Sequence, residues 1–173
     1  YKAETAKHAL EAGADIINDI WGAKHDEQMA QVAADYEAPI ILMHNRSNKD
    51  YKNLILDMMT DLKASIGIVK KAGVSDDKII LDPGIGFAKT LDQNYEVMNQ
   101  LEAFQSLGYP ILLATSRKSF ITKVLDVPPI ERDYATGATT CLGIQKGANI
   151  IRVHHVKLNV EMAKMMDAML RGV

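Results

Sequence analysis

Residues 79–87 read Ile79-Ile80-Leu81-Asp82-Pro83-Gly84-Ile85-Gly86-Phe87. Three apolar residues in a row leave no polar face, the pattern of a parallel strand covered on both sides. Asp82 ends the run, and a glycine-rich turn follows it. Upstream, Gly73 closes a helical stretch, because a glycine just past a helix end adopts the left-handed conformation that other residues resist. Helix, glycine, apolar strand, polar strand end: this unit decides the fold because it recurs.

It recurs on both sides of residues 79–87. Gly13 precedes ADIINDI (14–20), Gly108 precedes YPILLATS (109–116), and Gly147 precedes ANIIRVH (148–154). One run, APIILMH (38–44), is entered through Tyr36, Glu37 and Ala38 with no glycine. Between the runs lie amphipathic helices. Leu54, Ile55, Met58, Leu62, Ile66 and Val69 form one stripe at three- and four-residue spacing, and Tyr95, Met98, Leu101, Phe104 and Leu107 form another. Val160, Ala163, Met166 and Leu170 give the last helix the same expectation of burial. Most methionines sit on such stripes and read as core. Strand alternating with helix means a parallel α/β sheet of about five units. Periodicity leaves open whether the sheet is doubly wound or part of a (β/α)8 barrel. The first residues, YKAETAKHALEAG, already read as helix, with Ala3, Ala6, Leu10 and Ala14 near helical spacing. An α/β domain seldom opens mid-helix, so further sequence upstream is expected.

The bulk numbers remove several function classes. The 173 residues are 47% hydrophobic and 24% charged, with a formal net charge of −2. That is an ordinary globular composition with no general attraction to nucleic acid or anionic lipid. No apolar run is long enough to span a membrane. The one cysteine, Cys141, cannot form an internal disulfide, and in its apparent helix it reads as a small buried residue. No spacing of His, Cys and carboxylates suggests a metal site. His8 and His25 read as surface residues. GIGFAKT (84–90) matches neither the GxxxxGK[ST] phosphate loop nor GxGxxG.

Ligands of parallel α/β folds bind at the carboxyl ends of the strands. Each run here ends in polar residues: Asn18 and Asp19; His44, Asn45 and Arg46; Asp82; Ser116, Arg117, Lys118 and Ser119; Arg152, His154 and His155. A single polar strand end is ordinarily just hydrated. Five together, the last two cationic, read as a site. Asp82 needs a partner if solvent is limited, and a planar N–C–N edge of a heterocycle fits a carboxylate through two parallel hydrogen bonds. TSRKSF (115–120) places Arg117 and Lys118 where a helix begins, an arrangement that favours an anion.

ADIINDIWG (14–22), PIILMHNR (39–46), IILDPGIGFAKT (79–90), LLATSRKSF (112–120), GATTCLGIQKGA (137–148) and RVHHVK (152–157) follow one another as in bacterial dihydropteroate synthases, which the chain resembles end to end. The resemblance implies a TIM (β/α)8 barrel, here about five βα units without the first three strands. It implies one pterin-binding domain over residues 1–173, incomplete at the N-terminus. The implied activity joins 6-hydroxymethyl-7,8-dihydropterin pyrophosphate to p-aminobenzoate, releasing 7,8-dihydropteroate and pyrophosphate. A cytoplasmic homodimer that is a sulfonamide target is also implied, as is magnesium, with its main protein ligand upstream of Tyr1. Residue by residue, Asn18 and Asp82 match the family's pterin-recognising Asn and Asp, and Lys118 matches the Lys that reaches the pterin. Ile20 and Met43 match apolar pocket residues. Arg152 and His154 match the pyrophosphate pair, Ser119 the place of the aminobenzoate carboxylate, and Phe87 a neighbour of the aminobenzoate. Lys118, Arg152 and Asp82 are the expected catalytic residues. His155 stands where the family usually has Asp or Asn, which is expected to alter charge near the pyrophosphate. Two alternatives remain: a methyltetrahydrofolate methyltransferase-like pterin domain, which would lack the cationic anion site, and an inactive pterin-binding piece.

Overall fold

The computed structural model describes residues 1–172. Five strands, β1 (Ile17–Asp19), β2 (Ile40–Met43), β3 (Ile79–Asp82), β4 (Leu112–Leu113) and β5 (Ile150–Ile151), are all parallel and lie side by side in chain order. β1, β2 and β3 form one ladder and β4 and β5 another. A bridge from Leu81 to Ile111, with Leu81 N–H donating to Pro110 O at 2.9 Å, joins the two. Chain-order neighbours, each reached through a helix, are the arrangement of a (β/α)8 barrel rather than of a sheet with a switch point. The fold is that of a TIM barrel, with five βα units present.

Register explains which residues reach the site. Ile17 pairs with Ile40 and Ile40 with Ile79, while Asn18 pairs with Ile41 and Ile41 with Ile80. Side chains alternate across a strand, so the two rows face opposite ways. Ile17, Ile40, Leu42, Ile79, Leu81, Ile111 and Leu113 face the helices and are buried in the main core. Asn18, Ile41, Met43, Ile80, Asp82 and Leu112 face the concave side. There only Ile41, Leu112 and Ala114, with Ile80 against them, form a small second cluster. Five strands do not close, so the runs expected to be covered on both faces are fully covered on one. At the two ends of the arc Ile16 and Ile150 remain 49% and 38% exposed.

The helices are α1 (Ala3–Glu11), α2 (Met29–Asp35), α3 (Leu54–Ala72), α4 (Leu91–Asn99), α5 (Ser119–Thr122), α6 (Asp133–Gln145) and α7 (Val156–Arg171). The stripe on α3 is buried as its spacing predicts, and each such side chain contributes about 1.5–3 kcal/mol of hydrophobic stabilisation. Asn53 caps the start of α3 through Leu56 N–H, and Gly73, at φ 104°, stops it. The second stripe is divided, since α4 gives way to a 3-10 turn over Leu101–Leu107, yet Met98, Leu101 and Phe104 are buried. Where no glycine precedes β2, Glu37 takes the positive φ itself, at 48°.

Two expectations change. The α7 stripe is not core: Val160 and Leu170 are exposed, and only Asn159 is buried on that helix. Cys141 is half-buried rather than buried, on a helix with exposed Leu142 beside it. No helix among the described residues is long and apolar enough to cross a membrane.

Candidate active site

Parity and register bring the polar strand ends together on the concave face. Asp82 ends β3 opposite Met43 of β2. Its carboxylate is 4% exposed, and Oδ1 accepts the Gly84 N–H at 2.7 Å. Among the described residues no hydrogen bond reaches Oδ2. Burial pushes the carboxyl above its ordinary range; the Gly84 N–H and the charges of Lys118, Lys89 and Arg152 oppose that shift. A buried carboxylate with an oxygen to spare and cations around it is a receptor for a donor edge.

The turn after Asp82 is tightly built. Gly84 has φ 68°, and a Cβ there would stand 2.1 Å from the His44 carbonyl oxygen. Phe87 N–H returns to Gly84 O at 3.1 Å, and Asn94 Oδ1 accepts from Gly86 N–H at 2.6 Å. Lys118 crosses to this turn from the end of β4. Its ammonium donates to Ile85 O and lies 4.8 Å from the Phe87 ring centroid. Burial lowers its pKa, with Asp82 pulling the other way and Arg152 adding to the lowering.

At β4 and β5 a cavity of about 170 Å³ is lined by Ala114, Ser116, Lys118, Arg152, Val153 and His154. Arg152 makes no ion pair among the described residues. Ser116 Oγ accepts the His154 backbone N–H at 3.1 Å and lies 2.8 Å from His154 Nδ1, so its own hydroxyl hydrogen is available to that nitrogen. This orientation, with Nε2 outward, is a role for Ser116 that the strand-end pattern did not reveal.

The remaining expected residues divide. Asn18 sits on the concave face but is exposed, whereas Asp19 faces the other way and is spent on the Trp21 and Ala23 N–H groups. Met43 is buried, Ile20 and Phe87 half-buried. Ser119 is exposed at the first position of α5, so a helix begins where the strand-end pattern expected one, although it runs for only 4 residues. Arg117 does not serve the expected anion site. Its Nε and Nη2 form a bidentate pair with Asp133, both at 2.8 Å, and its φ of 59° turns it away toward α6. His155 caps α7, its Nδ1 accepting from Leu158 N–H at 3.2 Å. Asp and Asn are ordinary N-cap residues, so the substitution preserves a helix cap, and the expected change of charge is secondary.

A second polar group grows from two of the expected strand-end residues, His44 and Arg46, through partners the sequence did not reveal, Asp61 and Lys89. His44, fully buried, lies between Asp61 (Nε2 to Oδ2, 2.9 Å) and Lys89 (Nδ1 to Nζ, 3.2 Å). Arg46 pairs with the same Asp61 oxygen at 2.5 Å and stacks 4.5 Å over Tyr51. Burial, with Lys89 adding to it, drives His44 down to about 3. No cluster of three His, Cys, Asp or Glu that could hold a metal exists among the described residues.

The family profile described as "pterin binding enzyme" matches residues 1–154. The dihydropteroate synthase of Bacillus subtilis (strain 168) is 63% identical over 170 residues, covering 98% of this chain and 60% of the relative. That of Clostridium beijerinckii is 57% identical over 172 residues, covering 99% of this chain and 64% of the relative. Among solved structures, a Clostridium difficile dihydropteroate synthase crystallised in the presence of pteroic acid superposes with TM-score 0.97 at 46% identity, covering 99% of this chain and 65% of that one. A Yersinia pestis dihydropteroate synthase in a sulfonamide drug complex gives TM-score 0.92 at 32% identity, over 96% of this chain and 63% of that one. The chain thus spans between 60% and 65% of the length of these relatives. Concave-face geometry, family profile and superposition agree, and the chain belongs to the family of pterin-binding enzymes.

Proposed function

We propose that this chain is the pterin-binding part, as a single domain, of a dihydropteroate synthase. The enzyme would join 6-hydroxymethyl-7,8-dihydropterin pyrophosphate to p-aminobenzoate. The observation that carries the reading is Asp82, buried on the concave face with one oxygen unspent, beside the cavity lined by Lys118, Arg152 and His154. A pterin presents a 2-amino-pyrimidinone edge, and that edge matches a carboxylate. Asn18 extends recognition of the ring, Met43 and Ile20 supply its apolar floor, and Lys118 reaches its side. Arg152 and His154 bind the pyrophosphate. Phe87 and Ser119 face the aminobenzoate. The neighbours crystallised with pteroic acid and with a sulfonamide support the pair of substrates.

The chemistry follows from the charges. The bond between the pterin methylene and the pyrophosphate oxygen breaks, and its electrons leave with pyrophosphate. The aniline nitrogen attacks the cation-like methylene and then loses a proton. Positive charge at Lys118 and Arg152, with the His154 ring as a hydrogen-bonding group beside them, favours the departing anion more than the bound substrate, which is what lowers a barrier. No covalent intermediate on the protein is needed, consistent with Cys141 lying outside the site. Magnesium, when bound, would neutralise the pyrophosphate; the family resemblance implies a main protein ligand for it upstream of Tyr1. A homodimer and a cytoplasmic setting complete the proposal, on the strength of the family resemblance.

Titration of the intact protein with pteroic acid tests the site. Lys118→Ala should weaken binding by about 10- to 100-fold, the worth of a lost charge-assisted contact. Exposed Lys63→Ala should leave it unchanged. Equal effects would overturn the assignment.

A further inference from the structure

Lys89 belongs to no recognised site, yet its ammonium is buried. The side chain is 5% exposed, and Nζ is fully engaged: 2.9 Å from Gly84 O, 3.0 Å from Phe87 O and 3.2 Å from His44 Nδ1. An ammonium has three hydrogens and no acceptor, so His44 must present a lone pair at Nδ1. Its proton is therefore on Nε2, donated to Asp61, and Arg46 holds Asp61 in turn. The line Arg46–Asp61–His44–Lys89 ends on two carbonyls of the turn that carries Asp82 and Phe87. The turn is not a relaxed one: Gly84, Gly86 and Ala88 all have positive φ, at 68°, 87° and 47°.

We infer that Lys89 is a positioning residue whose protonated amine clamps the 83–88 turn, and that His44, kept neutral by its burial and by Lys89 and fixed in place by its Nε2–H on Asp61, is the post to which the clamp is tied. The clamp needs three donors. A neutral amine offers two, so one acceptor is released on deprotonation. Burial lowers the Lys89 ammonium to about 7; Asp82 and Asp61 oppose that and Lys118 and Arg46 add to it. With His44, these are the charged and titratable groups that face it from β2, α3, β3 and the β4–α5 turn. The turn therefore loosens as pH rises through neutrality. Its consequence for substrate rests on the pterin reading above, because Phe87 and the carbonyl that accepts from Lys118 belong to the clamped segment, and Asp82, which ends β3 just before it, is held by the Gly84 N–H of that segment. The clamp itself does not rest on it.

Two measurements on the intact protein decide the matter. The first is ligand-free hydrogen exchange of the Gly84–Ala88 amides, corrected for intrinsic rates and compared with β2. In the wild type, protection of the turn should fall by about 10-fold relative to β2 between about pH 6 and pH 9, the scale of one hydrogen bond. In Lys89→Met it should be low throughout. The second is pteroic acid affinity. Lys89→Met should bind about 10-fold more weakly at about pH 6, and the gap should shrink to about 2-fold by about pH 9, where the wild type has lost the same proton. A purely structural lysine gives a gap that does not change with pH. Turn protection that is independent of pH in the wild type overturns the clamp, even if Lys89→Met does not fold. If the wild type ignores pteroic acid, the pterin reading fails, and hydrogen exchange still decides the clamp.

Discussion

Asp82 and His44 show what the site demands of single residues. Asp82 is charged where burial favours the neutral acid, so its pKa lies above the ordinary carboxyl value. A carboxyl raised on folding holds more protons in the native state, and stability falls as pH rises from the unfolded value through the folded one. At neutral pH the ionised group is therefore a net cost. Asp82→Asn should raise the melting temperature of the intact protein while weakening pteroic acid binding by about 100-fold, since an amide offers one acceptor where the ligand edge needs two. Calorimetry and titration of the same samples check both signs. His44 has the opposite slope. Its folded value of about 3 lies below the ordinary imidazole value of 6.5, so its contribution is complete above pH 6.5 and is lost as the pH falls toward 3. His44→Gln should flatten this acid limb by a few kcal/mol, read from urea midpoints across the pH range. Asp82 announced its role in the sequence because it interrupts an apolar run. His44 did not, because its partners Asp61 and Lys89 come from other elements, 17 and 45 residues away.

At the scale of elements, strand parity was readable and turn geometry only in part. The pairing Asn18–Ile41–Ile80 and the step to Met43–Asp82 put the expected pterin contacts on one face, as alternation along each run requires. Glycines marked helix ends because their conformation is a local property. The chain could not show that Arg117 would spend its charge on Asp133, 16 residues on, or that Ser119 would begin a helix of 4 residues. Both depend on how the segment after β4 packs against α6. Glycines also differ in what they permit. At Gly84 a Cβ would collide with the His44 carbonyl at 2.1 Å, whereas at Gly13 nothing lies within 4 Å. Both have positive φ, so both substitutions are strained. Gly13→Ala should cost about 1 kcal/mol, the conformational penalty alone, and Gly84→Ala about 3 kcal/mol or more, because backbone must move as well. Denaturant unfolding of the two variants measures the difference.

At the scale of the whole molecule, five βα units build one wall of a barrel. The helix-facing side has a full core, while the concave side keeps Asn18 and Arg152 in contact with solvent. Parallel α/β architecture was legible from the recurring unit, and the TIM barrel came from the family motifs; periodicity alone left the doubly wound alternative, which chain-order pairing removes. The exposed α7 stripe and the open ends at Ile16 and Ile150 were not legible, because helical spacing reports an apolar face without naming what covers it. A polypeptide of these 173 residues alone should bind pteroic acid weakly and turn over at below about 1% of the intact enzyme, since a transition state enclosed on one side keeps its water. Side-by-side assays of the two check this.

Under the proposed function, a buried carboxylate and a cluster of cations at the strand ends serve one displacement, with pyrophosphate leaving as the aniline nitrogen arrives. The most direct test follows pyrophosphate release from 6-hydroxymethyl-7,8-dihydropterin pyrophosphate by the intact protein, with and without p-aminobenzoate. Release matched one for one by dihydropteroate, and dependent on p-aminobenzoate, is the result expected. Release at the same rate without p-aminobenzoate, or none with both substrates while a methyl group is transferred from methyltetrahydrofolate, would contradict it.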